Sequence, residues 1–251
     1  MGESGSLAAM IDSLREDDSQ QGGGGSIPGT PGIPAFVLEA LEPSDVPVLI
    51  AAPHAGRAYP ARLLKDMRQP EIAAARLEDR FVDRVAKAVA REIGAPLIFA
   101  QAPRAMIDLN RAPDDIDWEM LPRNARPVGL RALQSRRVRS GLGLVPRRLP
   151  GLGDIWRGRL AEGDLQARID CVHEPYHAAI TRSLNVLRER WGAALLLDLH
   201  SMPPLMPRPG CEPARFVVGD RFGASCHGSL VATTFAHLTG EGWAAAHNRP
   251  Y

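Results

Sequence analysis

Two short apolar runs, each leading into a histidine, constrain this chain most. Val46 to Ala52 (VPVLIAA) runs into Pro53-His54, and Ala194 to Leu199 (ALLLDL) runs into His200. The first reads as a buried strand, and the second as the most apolar strand of the chain. Helical stretches separate them. Glu71 to Ile93 carries apolar residues at Ile72, Leu77, Phe81, Val85, Val89 and Ile93, and Gly94 closes it. Leu165 to Trp191 reads as a long helix ended by Gly192, and Ser229 to Leu238 as a further helix. Pro96 to Ala100, Ala105 to Leu109 and Phe216 to Gly219 supply further strands. Strands alternating with helices predict an α/β fold with helices on both faces of the sheet. Sites in such sheets lie at the carboxyl ends of strands, where both histidines fall.

The 251 residues suit one large domain, expected over 35–251, with a Pro-, Arg- and Gly-rich loop excursion at 112–160. Residues 1–34 read as a disordered tail, because an unbroken glycine run and three prolines bury little apolar surface. With 30 basic and 29 acidic residues, the net charge of +1 excludes a grossly basic nucleic-acid binder. The cations are almost all arginine, since only Lys65 and Lys87 are lysines. No run of about 18 apolar residues suggests a membrane span. Cys171, Cys211 and Cys226 are odd in number and lack CxxC spacing, which argues against a disulfide framework and a cysteine zinc site. The expected compartment is the cytoplasm. Neither a P-loop nor a GxGxxG fingerprint is present.

Four clusters carry chemistry. His54 follows the first strand, with Gly56 permitting a sharp turn. Asp198 and His200 share one side of the last strong strand, a carboxylate able to orient an imidazole that can ligate a metal. Glu78, Asp79 and Asp83 lie within the first helical stretch, with Asp79 and Asp83 on one face, so a carboxylate could complete a two-histidine, one-carboxylate set. Arg80 and Arg84 could equally pair with them. Arg104, Asn110 and Arg111 flank a short strand that contains Asp108, and arginine suits a carboxylate through paired hydrogen bonds. Glu174-Pro-Tyr176-His177 reads as packing against the sheet.

Together these motifs resemble the N-formylglutamate amidohydrolase family. The matching pieces are APHAGRAYP at 52–60, LEDRFVDRV at 77–85, PRAMIDLNR at 103–111, EPYH at 174–177, LLLDLHSMPP at 195–204 and VVGDRFGASC at 217–226. A more distant resemblance is to aspartoacylases and zinc carboxypeptidases. It implies a mixed, mainly parallel sheet flanked by helices and one catalytic zinc. The resemblance implies zinc on His54, His200 and Asp79, with Glu78 as the alternative to Asp79 and Asp198 orienting a ligand from behind. It implies that Arg104 polarises the scissile carbonyl and that Asn110 and Arg111 hold a substrate carboxylate. The implied reaction is hydrolysis of N-formyl-L-glutamate, a small N-acyl amino acid with two carboxylates, to glutamate and formate in histidine degradation. The family's general base, a glutamate beyond an NRPY-like segment, is expected beyond Tyr251, so the chain reads as truncated; Glu212, Asp220 and Glu241 are its late carboxylates. The alternatives are a related deacylase of another N-acyl acidic amino acid, and an inactive ligand-binding form.

Overall fold

The structure is a computed structural model, and it describes residues 19–41, 43–125, 135–206 and 212–248. It divides into two compact units, 1–201 and 202–251, where the sequence suggests a single domain over 35–251. Cys211 lies outside the described residues.

The first unit is built on a five-stranded sheet. Its strands are β1 (Ser19–Gly24), β2 (Phe36–Leu41), β3 (Val48–Ala52), β4 (Leu97–Ala100) and β7 (Leu195–Asp198), in the order β1-β2-β4-β3-β7. β1 pairs with β2, and β2 with β4, in antiparallel fashion, while β3 pairs in parallel with both β4 and β7. The sheet is therefore evenly mixed rather than mainly parallel. The antiparallel half comes from a segment that the sequence places largely in a disordered tail. Of that tail, residues 19–34 are ordered, and residues 1–18 lie outside the described residues. The glycine run is the reason. A Cβ at Gly24 would collide with the Phe36 ring, and one at Gly23 would come within 2.8 Å of Pro34. Only a chain without side chains there pairs with β2, and Ile27, just beyond it, is 2% exposed.

Helices cover both faces. β3 alternates: Leu49 and Ala51 point into one apolar cluster, Ile50 and Ala52 into another. Between β3 and β4 lie α1 (Ala61–Asp66), α2 (Pro70–Leu77) and α3 (Val82–Ile93). α3 buries Val82, Ala86 and Ala90 in the second cluster. Gly94 ends it in the left-handed conformation, at φ 64°. Among the described residues of 101–160 the regular pieces are short: two 3-10 turns (Trp118–Met120 and Arg123–Ala125), a helical turn α4 (Arg136–Arg139) and a two-residue hairpin of β5 (Arg148–Leu149) and β6 (Gly153–Asp154). Residues 126–134 of the expected excursion lie outside the described residues. Ala105 to Leu109, expected as a strand, is a buried turn, with Ala105, Met106, Ile107 and Leu109 all in the first cluster. The long helical stretch is α5 (Glu162–Arg168), a π turn (Ile169–His173) and α6 (Glu174–Trp191), capped by Gly192. α6 buries Tyr176, Ala179, Ile180 and Leu187 in the first cluster.

The second unit holds β8 (Phe216–Val218), α7 (Gly228–Gly240) and β9 (Ala245–His247), with β8 and β9 parallel. Asp220 in this unit accepts from Asn248 Nδ2 at 2.6 Å and lies 3.0 Å from His247 Nε2.

Candidate metal centre

Register brings the two histidines together. β3 and β7 run in parallel, with Ala51 opposite Asp198, so both chains leave the sheet side by side. Gly56 allows the first of these loops to lie against the next one. A Cβ there would collide with the Ala102 carbonyl. The rings of His54 and His200 stand 4.7 Å apart, centroid to centroid.

The carboxylate between them comes from a break in a helix. The apolar periodicity of Glu71 to Ile93 predicts one helix, but the chain leaves α2 after Leu77 and enters α3 at Val82. Phe81, at the turn, takes φ 65°, a left-handed conformation that a bulky residue adopts only where its surroundings hold it there. Its ring is flanked by the guanidiniums of Arg57 and Arg84, at 5.6 and 5.0 Å. The Asp79 N–H donates to the His54 carbonyl at 3.0 Å, which ties the break to the first histidine loop. Asp79 is thereby carried inward and buried, while Asp83 remains on α3 and accepts from Arg57 at 2.9 Å. Glu78 pairs with Arg80 at 3.2 Å instead.

Ligand atoms of His54, Asp79 and His200 all lie within 4.8 Å of one another. Asp79 Oδ2 is 2.8 Å from His200 Nδ1 and 3.6 Å from His54 Nδ1. The other ring nitrogen of each histidine meets a carboxylate. His54 Nε2 is 2.7 Å from Asp108 Oδ1, and His200 Nε2 is 3.2 Å from Asp198 Oδ2. An ionised carboxylate only accepts, so His54 carries its proton on Nε2 and directs a bare Nδ1 at Asp79. That Nδ1 is buried without a hydrogen-bond partner. An orphaned, buried lone pair beside a carboxylate and a second imidazole is the donor set of a divalent cation, each imidazole being backed by a carboxylate as metal-bound histidines usually are. The residues fit a metal on these grounds.

The charges agree. Burial pulls His200 down, but its hydrogen bonds to Asp198 and Asp79 outweigh this and hold it up at about 9. Burial pushes Asp79 up, but the imidazoles of His200 and His54 bring it down to about 2.

Asp108 holds the site together, a part that reading its motif did not assign it. It is 0% exposed, and it takes His54 on Oδ1 together with the Asn110 N–H at 2.9 Å. Its Oδ2 takes Arg104 Nε at 3.0 Å, with Arg111 Nε at 3.9 Å. Burial opposes its ionisation, but His54, Arg104 and Arg111 hold it well below the ordinary carboxylate range. Arg104 is thus fixed through Nε, and its terminal nitrogens have no partner among the described residues. Asn110 Nδ2 sits 3.0 Å from His200 Nε2, and Arg111 donates through Nε to the Leu142 carbonyl.

His173 and His177 are further supports. Their Nε2 atoms lie 2.9 Å from the Arg111 carbonyl and 3.0 Å from the Leu109 carbonyl, on either side of Asn110. Their rings are 4.3 Å apart. Tyr176 packs in the core as expected, but His177 and the unmarked His173 face this loop. Their i, i+4 spacing at the start of α6 was the available signal.

A mixed α/β sheet with two histidines at adjacent strand ends, and an aspartate from the helix break between them, has the layout of a hydrolase with a candidate metal site. Comparison with known proteins agrees with that class. Residues 46–251 match the family model described as N-formylglutamate amidohydrolase. An N-formylglutamate deformylase of Pseudomonas putida is 30% identical over 218 residues, covering 80% of this chain and 73% of that protein. One from Pseudomonas aeruginosa is 30% identical over 195 residues, 74% of this chain and 64% of that protein. The crystal structure of N-formylglutamate amidohydrolase from Ralstonia eutropha JMP134 superposes with TM-score 0.74 at 33% identity, covering 86% of this chain and 77% of that one. A gene product from Agrobacterium tumefaciens, 18% identical with TM-score 0.60, shares the fold. The chain belongs to the N-formylglutamate amidohydrolase family.

Proposed function

We propose that this chain hydrolyses N-formyl-L-glutamate to L-glutamate and formate, with one zinc ion held by His54, Asp79 and His200. The observation that carries the reading is the buried, unpartnered Nδ1 of His54 facing Asp79. The relatives' names supply the substrate. When bound there, zinc supplies a Lewis acid and a water acidified towards neutrality.

The chain's own residues do the rest. Asp108 holds His54 in the tautomer that leaves Nδ1 free, and Asp198 does the same for His200. Arg104, pinned through Nε to Asp108, offers its terminal nitrogens to the formyl oxygen as negative charge develops there. Asn110 and Arg111 bind a substrate carboxylate, and Arg111 retains Nη2 for it after Nε and Nη1 are used on the Leu142 and Asn110 carbonyls. We place the reaction in histidine degradation in the cytoplasm, within a fold of the zinc carboxypeptidase and aspartoacylase kind.

The test is formate release from N-formyl-L-glutamate after zinc reconstitution, run beside N-acetyl- and N-succinyl-glutamate. Chelator-sensitive release, fastest with the formyl compound, is expected. Faster turnover of either bulkier acyl group overturns the substrate, and equal zinc in wild type and in His54→Ala/His200→Ala overturns the metal site.

A further inference from the structure

A cavity of about 420 Å³ opens beside the β5–β6 hairpin, and none of its lining residues belongs to the metal cluster. Five arginines line it: Arg68, Arg123, Arg147, Arg157 and Arg159. Glu119 and Asp154 are the carboxylates there, and both are taken by Arg147, at 3.1 and 3.3 Å; Arg147 also holds the buried Asp117 at 2.6 Å. The other four guanidiniums that line the cavity have no carboxylate partner among the described residues.

Two of these four are fixed in place by the backbone. Residues 65–68 run alongside 155–157, joined by an antiparallel bridge between Met67 and Trp156. Across it, Arg68 Nε donates to the Trp156 carbonyl at 2.8 Å. Arg157 Nε donates to the carbonyls of Lys65 and Met67, each at 3.1 Å. Using Nε on a carbonyl fixes the guanidinium plane and leaves both terminal nitrogens available, the pair of donors that grips a phosphate or carboxylate. Arg123 and Arg159, without a carboxylate partner among the described residues, add two more cations, while Met120 and Trp156 form an apolar wall. Gathering like charges in one concavity raises their mutual repulsion and focuses a positive field, and a bound anion relieves both.

We infer that this cavity is a binding site for a small polyanion, a phosphate ester or a polycarboxylate, separate from the metal centre. The donors already in position set the ligand class: multiply charged and oxygen-rich, with an apolar part against Trp156. The inference does not depend on the reaction proposed above.

Calorimetry with the full chain tests it, using inorganic phosphate and tricarballylate as probes at low ionic strength. Binding of either at one site, with Kd of about 1 mM or tighter, is expected. Tighter phosphate binding marks a phosphate ester as the ligand, and tighter tricarballylate binding marks a polycarboxylate. Arg123→Ala/Arg159→Ala removes two exposed, unpaired side chains and leaves the folded core intact; it should weaken the bound probe at least about tenfold. Added salt should weaken binding too. His200→Ala should leave probe binding unchanged. No binding, binding indifferent to the double arginine variant, or binding lost in His200→Ala overturns the inference.

Discussion

The candidate metal centre and the arginine cavity lie in the same unit and handle charge in opposite ways. In the first, basic side chains meet carboxylates: Asp108 takes His54 and Arg104, while Asp79 and Asp198 take His200. In the second, four of five arginines meet none among the described residues. The difference follows burial. Charges removed from water must be paired, because their desolvation otherwise goes uncompensated. Charges at an open surface sit in a high dielectric and tolerate like neighbours.

Breaking the buried side should cost most. His200→Ala removes a proposed ligand outright, and metal analysis after dialysis should find zinc far below one equivalent, with formate release lost. Asp108→Ala strands a buried imidazole and Arg104 together, and denaturant unfolding should show about 3–5 kcal/mol of destabilisation. If that variant yields no folded protein, Asp108→Asn should fold with a smaller loss, since it keeps the shape and one acceptor oxygen. Asp198→Ala spares the ligand and removes only the group behind it, so zinc affinity, measured by competition with a chelator, should fall about 10–100-fold.

The supports and the surface come next. His177→Phe leaves the Leu109 carbonyl without its donor, and about 1–3 kcal/mol of stability should go with it, read from the denaturation midpoint. Substrate KM should rise in this variant more than kcat falls, because Asn110 and Arg111 lose their setting, and His177→Gln should restore part of the loss. At the small end, Arg62→Ala breaks an exposed pair with Asp164 at 3.3 Å, and stability should change by less than about 1 kcal/mol. A larger effect there would undo the contrast between paired burial and tolerant surface.

Some of this was legible along the chain. β3, β4 and β7 stand out as apolar runs, and His54 and His200 are placed simply by ending two of them. Asp79 is harder. Its neighbours carry unbroken helical periodicity, and nothing local announces that Phe81 turns left-handed and splits the helix. Asp108 was visible within IDLNR, but a lone aspartate between arginines reads as a surface pair until its burial is known. β1 hid for the opposite reason: glycines and prolines carry little propensity for a strand, and only the close approach of Pro34 and Phe36 makes that composition fit.

By itself, the sequence determined the α/β character, the strand ends where chemistry gathers and the family resemblance. These depend on local periodicity and on residue types in fixed order. Tertiary structure decided which carboxylate reaches the histidines, which nitrogen of His54 is bare, and which arginines find partners. Those outcomes depend on burial and on contacts between residues such as His200 and Asp79, 121 positions apart in the chain. The energy of a charge is set by what surrounds it in space, and neighbours in sequence do not fix that.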